Sequence, residues 1–212
     1  MLEFSQSLRL MGNQFTITVV SPTKTEAESH INTAIEEIRR IERLLTTFDE
    51  NSQTCLINSN AGISPVEVDT EVVELIERSI GISKITQGAF DISYGSIDKT
   101  LWNFDRNMTQ LPSREEALKM VHLIDYRNIL VDKENSTVFL RNKGMRIGFG
   151  GIGKGYAAEM AKRLLMQKGV GSGIINASGD LSAWGYQPSG RPWRIGISNP
   201  DFPEDIFSYL DI

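Results

Sequence analysis

The hydrophobic pattern of this chain changes period several times, and that alternation limits the folds open to it more than any single motif. Phe15 to Val20 reads FTITVV, a β-branched and aromatic run suited to a half-buried strand. From Thr23 onward Ala27, Ile31, Ala34, Ile38, Ile41 and Leu45 recur every three or four positions with charged residues between them, which predicts an amphipathic helix. Thr23 with Glu26 fits a capping box at its start. A polar loop is expected from Asp49 to Gly62. Val72, Ile76 and Ile80 then mark a helix over 71–85, with Asp69 or Thr70 as cap. Ser113 and Glu116 start a short capped helix through Val121, and residues 129–131 and 137–140 read as strands joined by a tight polar turn. Further strands are expected at 145–147, 173–177, 180–184 and 193–197. A helix from Tyr156 to Lys168 is stopped by Gly169. With no internal repeat, low-complexity tract or long linker, residues 1–212 read as one α+β unit of mixed or antiparallel sheets with packed helices.

Composition narrows the function classes. A chain of 212 residues with 40% hydrophobic and 23% charged residues can build one sizeable core or two small ones. A net charge of -5 and a pI near 5.2 argue against a sequence-independent nucleic-acid binder, which needs a basic surface to displace counterions. Cys55 is the only cysteine, so neither an intramolecular disulfide nor a cysteine zinc cluster can form. His30 and His122 lie far apart in helical-looking stretches and read as surface or structural residues. Residues 1–10 mix Glu3, Ser5, Gln6 and Arg9 among apolar positions. They hold no run long enough for a signal peptide or a membrane span, so the chain reads as mature or cytoplasmic.

Residues 148–155, GFGGIGKG, lie between a predicted strand and a predicted helix. Glycine at so many positions lets backbone approach a ligand with its N–H groups turned toward an anion, and a helix start adds its positive dipole end. Lys154 brings a full positive charge to the same place, so a phosphate or pyrophosphate is the natural guest. The alternative is that these glycines only permit close packing. Gly148, Gly150 and Gly153 satisfy the dinucleotide fingerprint, which also needs an acidic residue roughly 20 positions further on. None lies between Glu159 and Asp180. Gly148, Gly153 and Lys154 satisfy most of a Walker A pattern, but Gly155 stands where a Ser or Thr would hold magnesium.

Five segments in order resemble the ApbE family of FAD:protein FMN transferases: MGNQF at Met11, TQGAFDISYG at Thr86, LWNF at Leu101, GGIGKGYAAE at Gly150 and NASGDLSAWG at Asn176. The resemblance implies an ApbE-like fold that binds FAD and magnesium. It implies transfer of FMN to a threonine of a partner flavoprotein, such as a flavin-accepting subunit of a membrane redox complex, with release of AMP. It also implies a periplasmic or membrane-associated location, while the absence of a signal segment leaves a cytoplasmic one open.

Residue by residue, the resemblance implies that Met11 and Phe48 line the flavin pocket and that Ala89, Phe90 and Asp91 contact the cofactor. The resemblance likewise implies that Lys154 lies at the cofactor and that the backbone carbonyl of Gly151 lies on the metal. Read without the family, Met11 and Phe48 are expected to be ordinary core, and Asp91 could simply cap backbone N–H groups. Asp180 is either a turn residue or a polar group at a pocket rim, and in the second reading it joins Lys154 as a catalytic candidate.

Two departures matter. Gly148 stands where the family often has an Asp that contacts FAD, so that contact falls to backbone. The family's later Asp-Ala-x-x-Thr segment, whose side chains hold magnesium, does not occur before Ile212. The expected metal site is therefore incomplete, as in a fragment of a longer chain or a degenerate relative. A FAD pyrophosphatase and a non-catalytic FAD-binding module are the alternatives to the transferase.

Overall fold

The chain is already extended before the first strand expected from its pattern. In a computed structural model that describes residues 1–97, 112–202 and 204–212, β1 (Leu2–Leu10) pairs antiparallel with β2 (Asn13–Ser21) in unbroken register from Leu2 opposite Ser21 to Leu10 opposite Asn13. Polar residues at alternate positions hide β1 from a search for apolar runs. The strands are joined by Met11 and Gly12, with φ of 50° and 74°, the left-handed pair that a two-residue hairpin turn requires. β2 continues into β6 (Gly173–Ala177), and β6 into β7 (Asp180–Trp184), giving an antiparallel sheet of order β1-β2-β6-β7. Ser178 and Gly179, with φ of 53° and 100°, form a second two-residue turn.

This sheet belongs to the first of two compact units, residues 1–42 with 153–212; the second is residues 43–152. On one face of the sheet Phe15, Ile17, Val19, Ile175 and Ala177 are fully buried. Helix α5 (Gly153–Gln167) packs over β6 and β7 on that face and contributes Ala157, Ala158, Ala161 and Leu165, all without exposure. Burial of a large apolar side chain contributes about 1.5–3 kcal/mol, and the alanines let the helix lie close to the strands. Ser182 on β7 donates to Glu159 Oε2 on α5 at 3.1 Å. Gly169, in the left-handed region at φ 85°, ends the helix as expected. In α1 (Lys24–Leu45) the buried residues are those of the predicted stripe together with Ile35, and Glu26 N–H donates to Thr23 Oγ1 at 3.3 Å, one half of the expected capping box. Two buried indoles anchor the chain on either side of the segment from Trp184 to Trp193: Trp184 Nε1 donates to the Val170 carbonyl and Trp193 Nε1 to that of Trp184, both at 2.9 Å. A hairpin of β8 (Arg194–Ser198) and β9 (Ile206–Asp211) completes the unit.

The second unit contains α2 (Gln53–Ser59), β3 (Val66–Glu67), α3 (Thr70–Ile85), α4 (Arg114–Val121), β4 (Ile129–Asp132) and β5 (Thr137–Leu140). Its sheet order is β3-β5-β4, antiparallel throughout. Ser113 and Glu116 form the predicted capping box in full. Asp69 is the N-cap of α3 by position, without a side-chain bond.

Two expectations fail here. The loop expected over 49–62 contains α2, whose buried face includes Thr54 and Asn58 and so carries little apolar signal. Residues 145–147 are no strand, although Met145 and Ile147 are as buried as strand residues. Side chains take the place of a neighbouring strand: Asn58 accepts from Ile147 N–H at 2.7 Å and donates to the Ile147 carbonyl at 3.0 Å, while Ser96 Oγ bonds both the N–H and the carbonyl of Arg146. The α+β class with antiparallel sheets is the one expected.

Candidate functional site

In the first unit the chemistry gathers at one end of the four-stranded sheet. Because Phe15 stands opposite Ala177, the Met11-Gly12 and Ser178-Gly179 turns lie side by side there, and Ser178 Oγ donates to the Gln14 carbonyl at 2.9 Å. Asp180 opens β7 at this end. Helix α5 begins at Gly153, three residues before the start read from sequence, so Lys154 belongs to its first turn and not to a preceding loop. Three glycines in six residues hide a helix start from propensity reasoning. Lys154 Nζ donates to Asp180 Oδ2 at 2.7 Å, with the lysine side chain 25% exposed and the aspartate 49%. A cation in the first turn of a helix opposes the positive dipole end, and the carboxylate offsets that repulsion. An anionic ligand at this place would meet the ammonium and the helix start together. Asp180 directly follows the Ser178-Gly179 turn and also pairs its carboxylate with Lys154.

Met11 is half-exposed, and a side chain held in the left-handed region costs roughly 1–2 kcal/mol, which asparagine or glycine would largely avoid at this turn. Glu159, five residues beyond Lys154 on α5, is pushed up by burial. The Arg163 hydrogen bond, the Lys162 charge and the Ser182 hydroxyl outweigh that effect and hold its carboxyl below the ordinary range.

In the second unit the TQGAFDISYG segment and the glycines after Ile147 meet. Thr86 ends α3; its Oγ1 accepts from Phe90 N–H at 3.1 Å and its carbonyl from Ala89 N–H at 3.0 Å. Gln87 and Gly88 follow with φ of 52° and 86°, turning the chain so that Ala89 is exposed and Phe90 half-buried. Asp91 caps a short 3-10 turn (Ile92–Ser96): Oδ1 accepts from Ser93 N–H at 2.8 Å and from its hydroxyl at 2.6 Å, while Oδ2 accepts from Tyr126 N–H at 2.8 Å. The capping reading of Asp91 is therefore realised, with acceptor capacity remaining on Oδ2.

The glycines face aromatic side chains. A Cβ at Gly151 would stand 3.2 Å from the Phe90 ring, and one at Gly150 would collide with the Tyr94 hydroxyl. Part of the glycine density is thus explained by packing, against aromatic rings instead of sheet. Gly148 N–H donates to the Ile92 carbonyl at 2.9 Å, so its amide is committed. The N–H groups of Gly150 and Gly151 have no hydrogen-bond partner among the described residues. Phe48, after α1, is 91% exposed, which removes the reading of it as ordinary core. The LWNF segment at Leu101 lies outside the described residues.

For magnesium the chain offers the Gly151 carbonyl. Among the described residues no group of three or more His, Cys, Asp or Glu side chains could hold a metal, so the residues present do not assemble the hard-oxygen shell that ion needs. Among the described residues, also, no helix is long and apolar enough to cross a membrane.

The architecture is that of ApbE proteins of known structure. The ApbE protein of Thermotoga maritima superposes with a TM-score of 0.89 at 30% identity, over 99% of this chain and 67% of that one. The flavin transferase ApbE of Vibrio cholerae shares the fold, with a TM-score of 0.83 at 19% identity over 93% of this chain and 64% of that one. In sequence the chain is similar to a FAD:protein FMN transferase of Klebsiella pneumoniae, 29% identical over 93% of this chain and 59% of that protein. The pattern defining the ApbE family matches residues 11–212. The chain belongs to the ApbE family. It spans 59% of the length of that Klebsiella relative, and 50% of a second, from Escherichia coli.

Proposed function

We propose that the protein is a FAD:protein FMN transferase, moving FMN from FAD to a threonine hydroxyl of a partner flavoprotein and releasing AMP. The observation that carries this reading is Lys154, presented from the first turn of α5 with its ammonium oriented by Asp180. In the transfer the threonine oxygen forms a bond to the phosphorus on the riboflavin side, the bond from that phosphorus to the bridging oxygen breaks, AMP leaves with that oxygen, and the hydroxyl proton is released to solvent. Negative charge on the phosphates is what a fixed cation stabilises. Lys154 is suited to hold the pyrophosphate, and Asp180 to aim the ammonium before FAD arrives. Met11 and Phe48 are read as flavin contacts, supported by their exposure. Ala89, Phe90, Asp91 and the backbone of Gly148 are read as further cofactor contacts. Magnesium is the cation expected of the whole protein. The described residues do not complete its shell.

The acceptor is read as a flavin-accepting subunit of a membrane redox complex or a similar flavoprotein, and the place of work as periplasmic or membrane-associated. Incubating the protein with FAD, magnesium and an acceptor domain, then mapping the acceptor by mass spectrometry, tests the reading. One FMN on a threonine, with AMP released in equal amount, is expected. FMN and AMP released without acceptor modification would make the protein a FAD pyrophosphatase instead. FAD binding without turnover would make it a binding module.

A further inference from the structure

Among the described residues the first strand lies at the edge of the sheet. There β1 pairs with β2 on one side, at the end of the order β1-β2-β6-β7, and most of its nine residues are exposed. Edge strands of soluble proteins are commonly shielded by short length, proline, a bulge or charged side chains, above all lysine. β1 is nine residues long, contains neither proline nor lysine, and keeps its register with β2 without interruption; its only charges, Glu3 and Arg9, are of opposite sign.

Its sequence, LEFSQSLRL, reads nearly the same in both directions about Gln6. If two such strands pair antiparallel about a two-fold axis at Gln6, Leu2 lies opposite Leu10, Glu3 opposite Arg9, Phe4 opposite Leu8 and Ser5 opposite Ser7. Each pair joins residues of like parity, as the pleat demands, so each face of the sheet continues across the junction. The even face is apolar, apart from the central Gln6, and Phe4 and Leu8 are only half-buried within one copy. The odd face brings two Glu–Arg pairs together. Neither Glu3 nor Arg9 has a side-chain partner among the described residues. Ser5 and Ser7 already bond Thr18 and Thr16 at 2.7 and 2.8 Å, so these small residues need nothing from across the axis.

We propose that β1 is a self-pairing edge, and that its partner is β1 of a second copy of this chain, forming a continuous eight-stranded sheet with two-fold symmetry. An interface of this kind is isologous: each Glu3 meets the other copy's Arg9, so both charge pairs form at once.

Sedimentation velocity of the protein over a micromolar concentration series tests this, with paired charge reversals fixing the register. Glu3→Arg alone sets like charges opposite each other at both pairs, and so does Arg9→Glu; each should raise the dimer dissociation constant by about tenfold or more. The double variant Glu3→Arg/Arg9→Glu should return it to the starting value. An equimolar mixture of the two single variants should form heterodimers, since every opposed pair is then oppositely charged. Far-UV circular dichroism of each variant reports whether the fold is kept, and the recovery in the mixture cannot come from misfolded chains. A protein that stays monomeric throughout the series, or a dimer indifferent to the reversals, would overturn the proposal.

Discussion

Lys154 is the residue on which the functional reading turns, and its partner makes the test sharp. Replacing it by methionine removes the ammonium and keeps most of the stem, so FAD affinity should fall by about 10- to 100-fold, the worth of a charge-assisted hydrogen bond. Isothermal titration with FAD measures this, and unchanged affinity would remove Lys154 from the cofactor site. Met11 makes a prediction of opposite signs. Met11→Asn relieves a left-handed side chain and should stabilise the fold by about 1 kcal/mol, read as a higher Tm, while the same change should weaken FAD binding if the thioether contacts the flavin. Stabilisation with unchanged affinity would make Met11 a turn residue only.

Among the elements, the segment after β5 depends most on a single side chain. Asn58→Ala strands the N–H and the carbonyl of Ile147 in a buried place and should destabilise the fold by roughly 2–4 kcal/mol in urea titration. A loss below about 0.5 kcal/mol would show that the amide does not substitute for a strand. Helix α5 adds a pH dependence. The Glu159 carboxyl is held below its ordinary value of about 4.3, so its contribution is fully present above that pH and is lost as the pH falls through the lower folded value. Glu159→Gln should therefore flatten the acid side of a stability profile, and unaltered profiles would mean that Arg163, Lys162 and Ser182 do not stabilise the charge.

These elements also show how far the sequence could be read. Periodicity located α1, α3 and the strands Phe15 to Val20 and Thr137–Leu140, because each buries an apolar stripe. β1 and α2 escaped because their exposed or polar faces dilute the pattern. The start of α5 escaped because glycine is a poor helix former, and the non-strand at 145–147 because burial alone resembles a strand. Lys154 and Asp180 were both legible as candidates. Their salt bridge was not, since a contact across 26 residues depends on the sheet that brings α5 over β7.

For the whole molecule, FAD should stabilise the folded chain through linkage. At a FAD concentration about 100 times Kd the gain is about 2.7 kcal/mol, visible as a rise in Tm, whereas ATP at the same concentration should give little. An equal response to ATP would favour a general nucleotide site over one that requires the flavin half.

The order in which the sheet is assembled has a consequence for synthesis. β2 ends at Ser21, but its other neighbour β6 begins at Gly173, roughly 150 residues later. At about 5–20 residues per second, the hairpin of β1 and β2 waits on the order of 10 s on the ribosome with both edges open. During that interval its open edges can meet wrong strand partners. Its two-residue turn, which fixes the register early and locally, is what the emerging chain has in place to keep β2 correctly presented until β6 arrives.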